Sequence, residues 1–533
     1  MSPQSPPGWI PVRPGEWPLV TITGGFAFLA VALAIVLRTW SDAVFLTFFD
    51  VAYVPWLFVA SALVFVPATF GYAWLAPRLG SVWLNTLLLG AFGIATVACA
   101  RWAQDPVGVF SAVLAVSVFS PLANVICWNT ILDRLDTRQS RRLLPVIGGI
   151  STLGAIGGGA LGGELAAVHG HEALVWMSFS VLLMMTPLPL ILSAPLRRRA
   201  PRQSPGIRKG FQSLARNRLI GVVALATFLM ALSTNVIDYQ FKAHAQTALA
   251  PEALGTFFAR FHGATNVGVL LVQFLVAPMV MRRFGVGLSF ALHPAILIGG
   301  ALLTLVQPVL ATVVALRFAD SLLKFTFHKN SNDLALTPVP AHDRHQAMVF
   351  LKGIVYPLGG IAAGLVLAGS AAMGFDLVHA AGFWVMLLAA LWLLLASHVR
   401  LEYMQQIGEK LSIELHPVRA PSPEPPAALM GIVRSQVIEI RALQRRVRET
   451  GDREAGDAIK QALDRLFGTM GELIGDSRAV EAAAQRYLYG DGSERASAVE
   501  LLDTLLDTHR VPDATDLLDS LSRDRSRGLL PAT

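Results

Sequence analysis

Charge is scarce in this chain, and cysteine scarcer. Asp, Glu, Lys and Arg make up 15% of the 533 residues against 54% hydrophobic ones, and the mean hydropathy is +0.54. Such a balance excludes an ordinary soluble globular protein of this length. The two cysteines, Cys99 and Cys127, both fall in apolar segments, which argues against a disulfide framework; they read as small core residues. There is no HExxH, no cysteine pair and no serine in a nucleophile elbow, so neither an enzyme nor a metal or cofactor site is expected. The first residues, MSPQSPPGWIPVRPGEWP, lack a basic n-region and a small-residue cleavage site and read as a cytosolic leader (1–17), not a removed signal. The glycine-rich GGISTLGAIGGGALGG (148–163) lacks the Gly-Lys-Ser/Thr ending of a phosphate loop. Its Gly154, Gly158 and Gly162 recur every four residues, baring one helix face for close packing, with bending as a compatible role.

What the chain has in abundance is long apolar runs. A bilayer core of about 30 Å takes roughly 20 apolar residues per helix. Windows of that size fall near 18–37, 53–74, 82–100, 107–128, 146–168, 173–193, 219–238, 257–280, 286–306, 309–328, 348–372 and 377–398. The fold class predicted is therefore all-α: a polytopic membrane protein of twelve transmembrane helices. Loops after the even-numbered spans hold 17 Lys and Arg, and loops after the odd-numbered ones hold 3. The positive-inside rule then puts both termini in the cytoplasm, with the inner membrane as the expected location. The longest basic loop, 194–218, divides the spans into halves 18–193 and 219–398. It reads as a topology anchor, with anionic-lipid binding as the alternative.

The halves resemble each other. APRLG (76–80) and MRRFG (281–285) both follow a second helix as basic turns, and LGAIGGG (153–159) and LGGIAAG (358–364) both lie in a fifth; each pair is 205 positions apart. Two landmarks at one offset point to duplicated six-helix pseudo-repeats, the arrangement of transporters with a site at the repeat interface.

Polar residues inside the spans are costly, about 2.5–3.5 kcal/mol per central charge, and mark function by default. LRFADSLLKFTFHKN (316–330) places Arg317, Asp320, Lys324 and His328 on one helix face. One carboxylate between two cations reads either as a self-neutralising ladder or, with its surplus positive charge, as part of an anion site. Arg260, Asn266 and Lys352 lie in neighbouring spans, while Arg38 and Lys242 are expected just past the first helix of each half. The candidate substrate-binding set is Arg317, Asp320, Lys324, Lys352, Arg260, Asn266, Lys242 and Arg38. Only Glu164, Asp238 and Asp320 stand out as carboxylates within the spans, so positive charge is expected to exceed negative.

Residues 1 to about 400 resemble the nucleotide transporter family of ATP/ADP translocases, a branch of the major facilitator superfamily. The resemblance rests on LRTWSDAVFLTFFDVAYVPWL (37–57), DYQFKAHAQTAL (238–249), GATNVGVLLVQFLVAPMVMRRFG (263–285) and DSLLKFTFHKNSNDLALTPVPAHDRHQAM (320–348). It implies the major facilitator fold, nucleotide exchange, and phosphate contacts at intramembrane lysines, of which Lys242 and Lys324 align with cationic positions of the family. The chain departs from the family in its few intramembrane carboxylates and in Leu336, where an aromatic residue is typical.

Beyond residue 399 the balance changes to 18 Lys and Arg against 22 Asp and Glu. A helix extension and a proline-rich linker (399–428) lead to a soluble tail (429–533). There, helical-period segments are broken by TGD, GDGS and RVPD, and ERASAVELLDTLLD (494–507) resembles a helix of a HEAT-type repeat. These features predict a secondary transporter of an anionic metabolite, narrowed by the resemblance to a nucleotide in ATP/ADP-type exchange, whose partners are the bilayer, that substrate and a protein bound by the tail, with no nucleic acid. The alternatives are a transporter-like membrane scaffold or sensor signalling through its tail, and a proton-coupled exporter using Asp238 or Glu164.

Overall fold

The computed structural model describes residues 16–135, 137–192, 217–336, 338–339, 341–410, 427–450, 452–474 and 477–489, together with Val12 and scattered positions between 498 and 524. The expected leader, the basic linker, most of the proline-rich linker and most of the HEAT-like segment lie outside these. Every regular element among the described residues is helical.

Twelve helices follow the apolar runs. The first half comprises α1 (Trp17–Phe48), α2 (Val54–Leu79), α3 (Ser81–Trp102), α4 (Pro106–Arg134), α5 (Thr137–His169) and α6 (Glu172–Leu192). The second comprises α7 (Arg218–Ala248), α8 (Pro251–Leu271), α9 (Ala277–Val306), α10 (starting Leu310–Leu323), α11 (ending Tyr356–Ala372) and α12 (Leu377–Lys410). Ten of the twelve are long and apolar enough to cross a membrane; α8 and α10 fall short because of their polar residues. The helices overrun the apolar windows. Arg38 and Lys242, expected past the ends of their helices, lie well inside α1 and α7, because neither chain meets a breaker until Phe49 and Leu249 turn extended. Of the two basic turns, APRLG ends α2 at Gly80, whose φ of +80° suits glycine. MRRFG is instead part of α9, so no turn separates it from the helix.

The internal duplication is legible in backbone geometry. Phe49 (φ −119°, ψ 143°) and Leu249 (φ −123°, ψ 145°) close α1 and α7 in the same conformation, 200 positions apart. Gly170 (φ +74°) and Gly374 (φ +79°) follow the fifth helix of each half. We call the face where α1 ends the distal face. Prolines in the first turn start α2, α4 and α8, where their fixed φ fits and a missing N–H costs nothing.

One compact unit holds Met1–Pro278, Phe290–Asn330 and His345–Leu395. Within it the halves meet through α1, α2 and α5 against α7, α8 and α11. Two glycine faces of α5 make this possible. Gly158 and Gly162 lie against Ala32 and Val36 of α1, inside the first half. Gly159 lies against α8, where a Cβ would stand 2.6 Å from Gly263 Cα. Three π-helical turns interrupt α-helical hydrogen bonding: Val272–Val276 after α8, Lys324–His328 within α10, and Leu351–Val355 within α11. Such turns cluster at functional sites because the extra residue re-aims side chains.

The second unit holds Met279–Ser289, Ser331–Arg344 and Ala396–Thr533. Its tail contains α13 (Ala427–Thr450), α14 (Arg453–Ile474) and α15 (Ser477–Tyr489), with α13 ending at the TGD segment. The tail buries Val433, Val437, Ile440, Leu466, Phe467, Met470 and Tyr487. Asp524 takes two bonds from Arg448 (2.7 and 2.9 Å) and one from Gln444 (2.6 Å). The chain is thus a twelve-helix membrane domain in two pseudo-repeats with a small helical tail.

A side chain at Gly159 must push α5 from α8, whereas Gly299 has nothing within 4 Å. Gly159→Val is expected to lower the melting temperature in detergent by several degrees, and Gly299→Ala to leave it unchanged, as read by differential scanning fluorimetry.

Candidate functional site

Helical spacing puts Arg38, Asp42 and Leu46 on one face of α1, and Asp238, Lys242 and Gln246 on one face of α7. The numbers differ by 200, and the equivalent positions carry opposite charges. Each row therefore reads as the complement of the other. Arg38 Nη2 donates to Asp238 Oδ1 at 2.8 Å, and Lys242 Nζ lies 2.8 Å from Asp42 Oδ1 and 3.0 Å from Asp238 Oδ2. Arg38 Nε also stands 3.6 Å from Asp42. At the distal end Gln246 Nε2 donates to the carbonyls of Leu46 and Phe49, both at 2.7 Å, and its Oε1 accepts from the Val51 N–H at 2.9 Å. One side chain thus fastens the α1–α2 connection of the first half to the second.

The ladder extends into α10. Arg317 Nη2 reaches Asp238 Oδ1 at 2.6 Å, and its Nη1 reaches Asp320 Oδ2 at 2.9 Å. Asp320 Oδ1 accepts from Thr234 Oγ1 at 3.0 Å and faces His293 Nε2 of α9 at 3.2 Å. Asp320 and His293 are essentially inaccessible to solvent, at 0% and 1% side-chain exposure. Asp238 and Arg38 stand ten residues before the distal ends of their helices, or about 15 Å at 1.5 Å per residue, near the middle of a bilayer.

Charges balance within this network. Asp42, Asp238 and Asp320 face Arg38, Lys242 and Arg317, so the surplus positive charge expected in the spans falls on groups outside the ladder, Lys324 and Lys352 among them. The oversight was Asp42, which the apolar window placed outside α1. Lys324 does not share Asp320 with Arg317. The π turn carries its Nζ to Tyr356 Oη of α11 at 3.0 Å, and it makes no ion pair among the described residues. Lys352 is exposed in the π turn of α11. Arg260 is remote from the network, pairing at 3.4 Å with Glu164 where both side chains are largely exposed. Asn266 donates to its own helix at the His262 carbonyl, 2.8 Å. The structure therefore brings Arg38, Lys242, Arg317 and Asp320 together, puts Lys324 at the next turn, and leaves Arg260, Asn266 and Lys352 apart from them.

Sequence reasoning missed Asp42, Thr234, Gln246, His293 and Tyr356. The offset of 200 between Arg38–Asp42 and Asp238–Lys242 was an available signal. His293 carried none, being one histidine in an apolar run. Among the described residues no group of three His, Cys, Asp or Glu is placed to hold a metal ion.

No family model matches the chain, and no curated protein matches it in sequence. Solved structures share its fold. The nucleoside transporter NupG superposes with a TM-score of 0.55 at 15% identity, covering 72% of this chain and 99% of that one. A bacterial homolog of the human lysosomal transporter Spinster, in an inward-facing and unoccupied conformation, gives 0.50 at 15% identity, covering 76% and 100%. At these identities the likeness is one of fold, and that fold is the major facilitator arrangement.

Removing one partner of a buried pair leaves an uncompensated charge, at a cost of about 3–5 kcal/mol. Lys242→Asp alone sets three carboxylates around Arg38 and should lower thermal stability sharply. Adding Asp42→Lys restores the pair in reverse and should recover most of the loss in the same thermal assay.

Proposed function

We propose that the protein is a secondary transporter of an anionic metabolite, of the nucleotide class, working by alternating access between its two six-helix halves. The observation that carries this reading is Lys324. Six network groups neutralise one another, yet Lys324 is an intramembrane cation whose hydrogen-bond partner among the described residues is a tyrosine hydroxyl, with no carboxylate in ion-pair contact there. An ammonium in that setting is completed by phosphate or carboxylate oxygens. Lys352 stands four residues before Tyr356, the partner of Lys324, and so puts a second positive charge about one helical turn nearer the side where α11 begins. The resemblance to ATP/ADP translocases supports nucleotides over other anions, and the basic loops support an inner-membrane protein with cytoplasmic termini. In this reading the distal face is periplasmic, and the ladder with its Gln246 latch holds that side shut. The tail acts as a HEAT-like cap that recruits a protein partner.

Proteoliposomes loaded with ADP and offered radiolabelled ATP, ADP and other phosphorylated metabolites test this. Saturable uptake of a phosphorylated compound is expected. Loss of a charge-assisted contact of about 1.5–3 kcal/mol in Lys324→Gln should raise KM roughly 10- to 100-fold. Uptake confined to uncharged solutes, or a KM indifferent to Lys324→Gln, would remove the anion assignment.

A further inference from the structure

Asp320 is the one carboxylate of the network whose partners include a histidine. As an ionised acceptor held by Arg317 and Thr234, it fixes the tautomer of His293: Nε2 carries the hydrogen and donates to Asp320 Oδ1 at 3.2 Å. Nδ1 is then a bare lone pair. It is fully buried and has no hydrogen-bond partner among the described residues. An acceptor left so in a protein interior is costly and is the atom at which a proton can be taken up.

The surroundings limit what can answer that proton. On α10, Asp320 and His328 face the ring, Arg317 reaches it only through Asp320, and Lys324 is the next cation on the helix; α7 contributes Thr234, also on Asp320, and, one step on, Asp238. From α12 comes Trp392, its ring 4.8 Å from that of His293, and the His328 ring lies 6.2 Å away. His328 belongs to the π turn that ends beside exposed Lys329. His328 thus lies beyond His293 in the direction in which α10 runs, away from the distal face.

Resting on the transporter reading above, we infer that the His293–Asp320 pair is a proton-binding site coupled to the cross-half ladder, making transport proton-linked. The balance is simple. Hydronium gives up a proton, its O–H bond breaking as an N–H bond forms at His293 Nδ1, water is left behind, and the neutral network gains one positive charge. Asp320 then serves the imidazolium as well as Arg317. The guanidinium shifts its claim to Asp238, which already serves Arg38 and Lys242, and the α1–α7 contact weakens. Protonation therefore opens the distal face. Imidazole is the side chain that can both donate at one ring nitrogen and take up a proton at the other, which is the chemistry such a switch requires.

The test needs no substrate. In full-length protein with Cys99→Ala and Cys127→Ala, nitroxides are placed at Gln104→Cys and Gln307→Cys, exposed sites in the distal loops of the two halves. Their separation is measured by double electron–electron resonance between pH 8 and 5.5. The long-distance population is expected to grow on acidification with a one-proton slope. His293→Gln keeps the bond to Asp320 but cannot accept the proton, and should hold the pH 8 distribution throughout. Asp320→Asn should show the long distance at every pH, and the exposed His379→Ala should respond as the parent does. A parent distribution indifferent to pH, or His293→Gln titrating like the parent, overturns the proposal. Anion uptake in proteoliposomes is scored separately. Uptake that ignores pH and His293→Gln sinks the coupling while leaving the transporter reading intact. A pH-driven distance change with no uptake of any phosphorylated metabolite sinks the transporter reading and supports the proton site.

Discussion

The carboxylate of Asp238 is the point on which the membrane domain depends. It sits near mid-bilayer depth and receives Arg38 from the first half together with Lys242 and Arg317 from the second. Burial of an isolated charge there is prohibitive, so none of these groups can be present without the others. The same requirement fixes the geometry. Arg38 is held by Asp238 only while α1 and α7 are in register, and Arg317 only while α10 lies against α7. A pairing obligation of this kind is a natural bistable element: satisfied, it locks the halves; opened, it must be replaced by water or substrate.

The close helix contacts serve that pairing. Without side chains at Gly158 and Gly159, α5 can approach α1 on one face and α8 on the other, and α1 can reach α7 at ion-pair distance. The π turns act in the opposite direction, adding a residue where α10 and α11 present Lys324 and Lys352. The packed part of the domain thus holds the ladder, and the locally irregular part carries Lys324 and Lys352, which make no ion pair among the described residues.

Much of this was legible in the sequence. The twelve helices follow from apolar run length, the repeat from the glycine-rich stretches of the two fifth helices 205 residues apart, and the special status of α10 from a charged stripe that no lipid-facing helix tolerates. The Arg317–Asp320 pair followed from a spacing of three. What escaped were relations across 200 residues. A hydropathy window ends where charge begins, so it cut α1 short of Asp42, the residue that makes the network neutral. The π turn that carries Lys324 away from Asp320 leaves no mark in composition, and a lone histidine such as His293 has none of the patterning that names a site. The second glycine face of α5, Gly159 and Gly163, was hidden beside the more regular Gly154, Gly158 and Gly162.

The central claim is that the α1–α7 ladder must open for the protein to work. Tethering it shut tests this most directly. With the native cysteines replaced, Val51→Cys and Gln246→Cys stand where a backbone N–H and a side-chain oxygen now meet at 2.9 Å. A short bis-thiosulfonate bridge between them should abolish uptake into proteoliposomes, and reductant should restore it. Uptake that continues at full rate with the bridge in place would contradict the account.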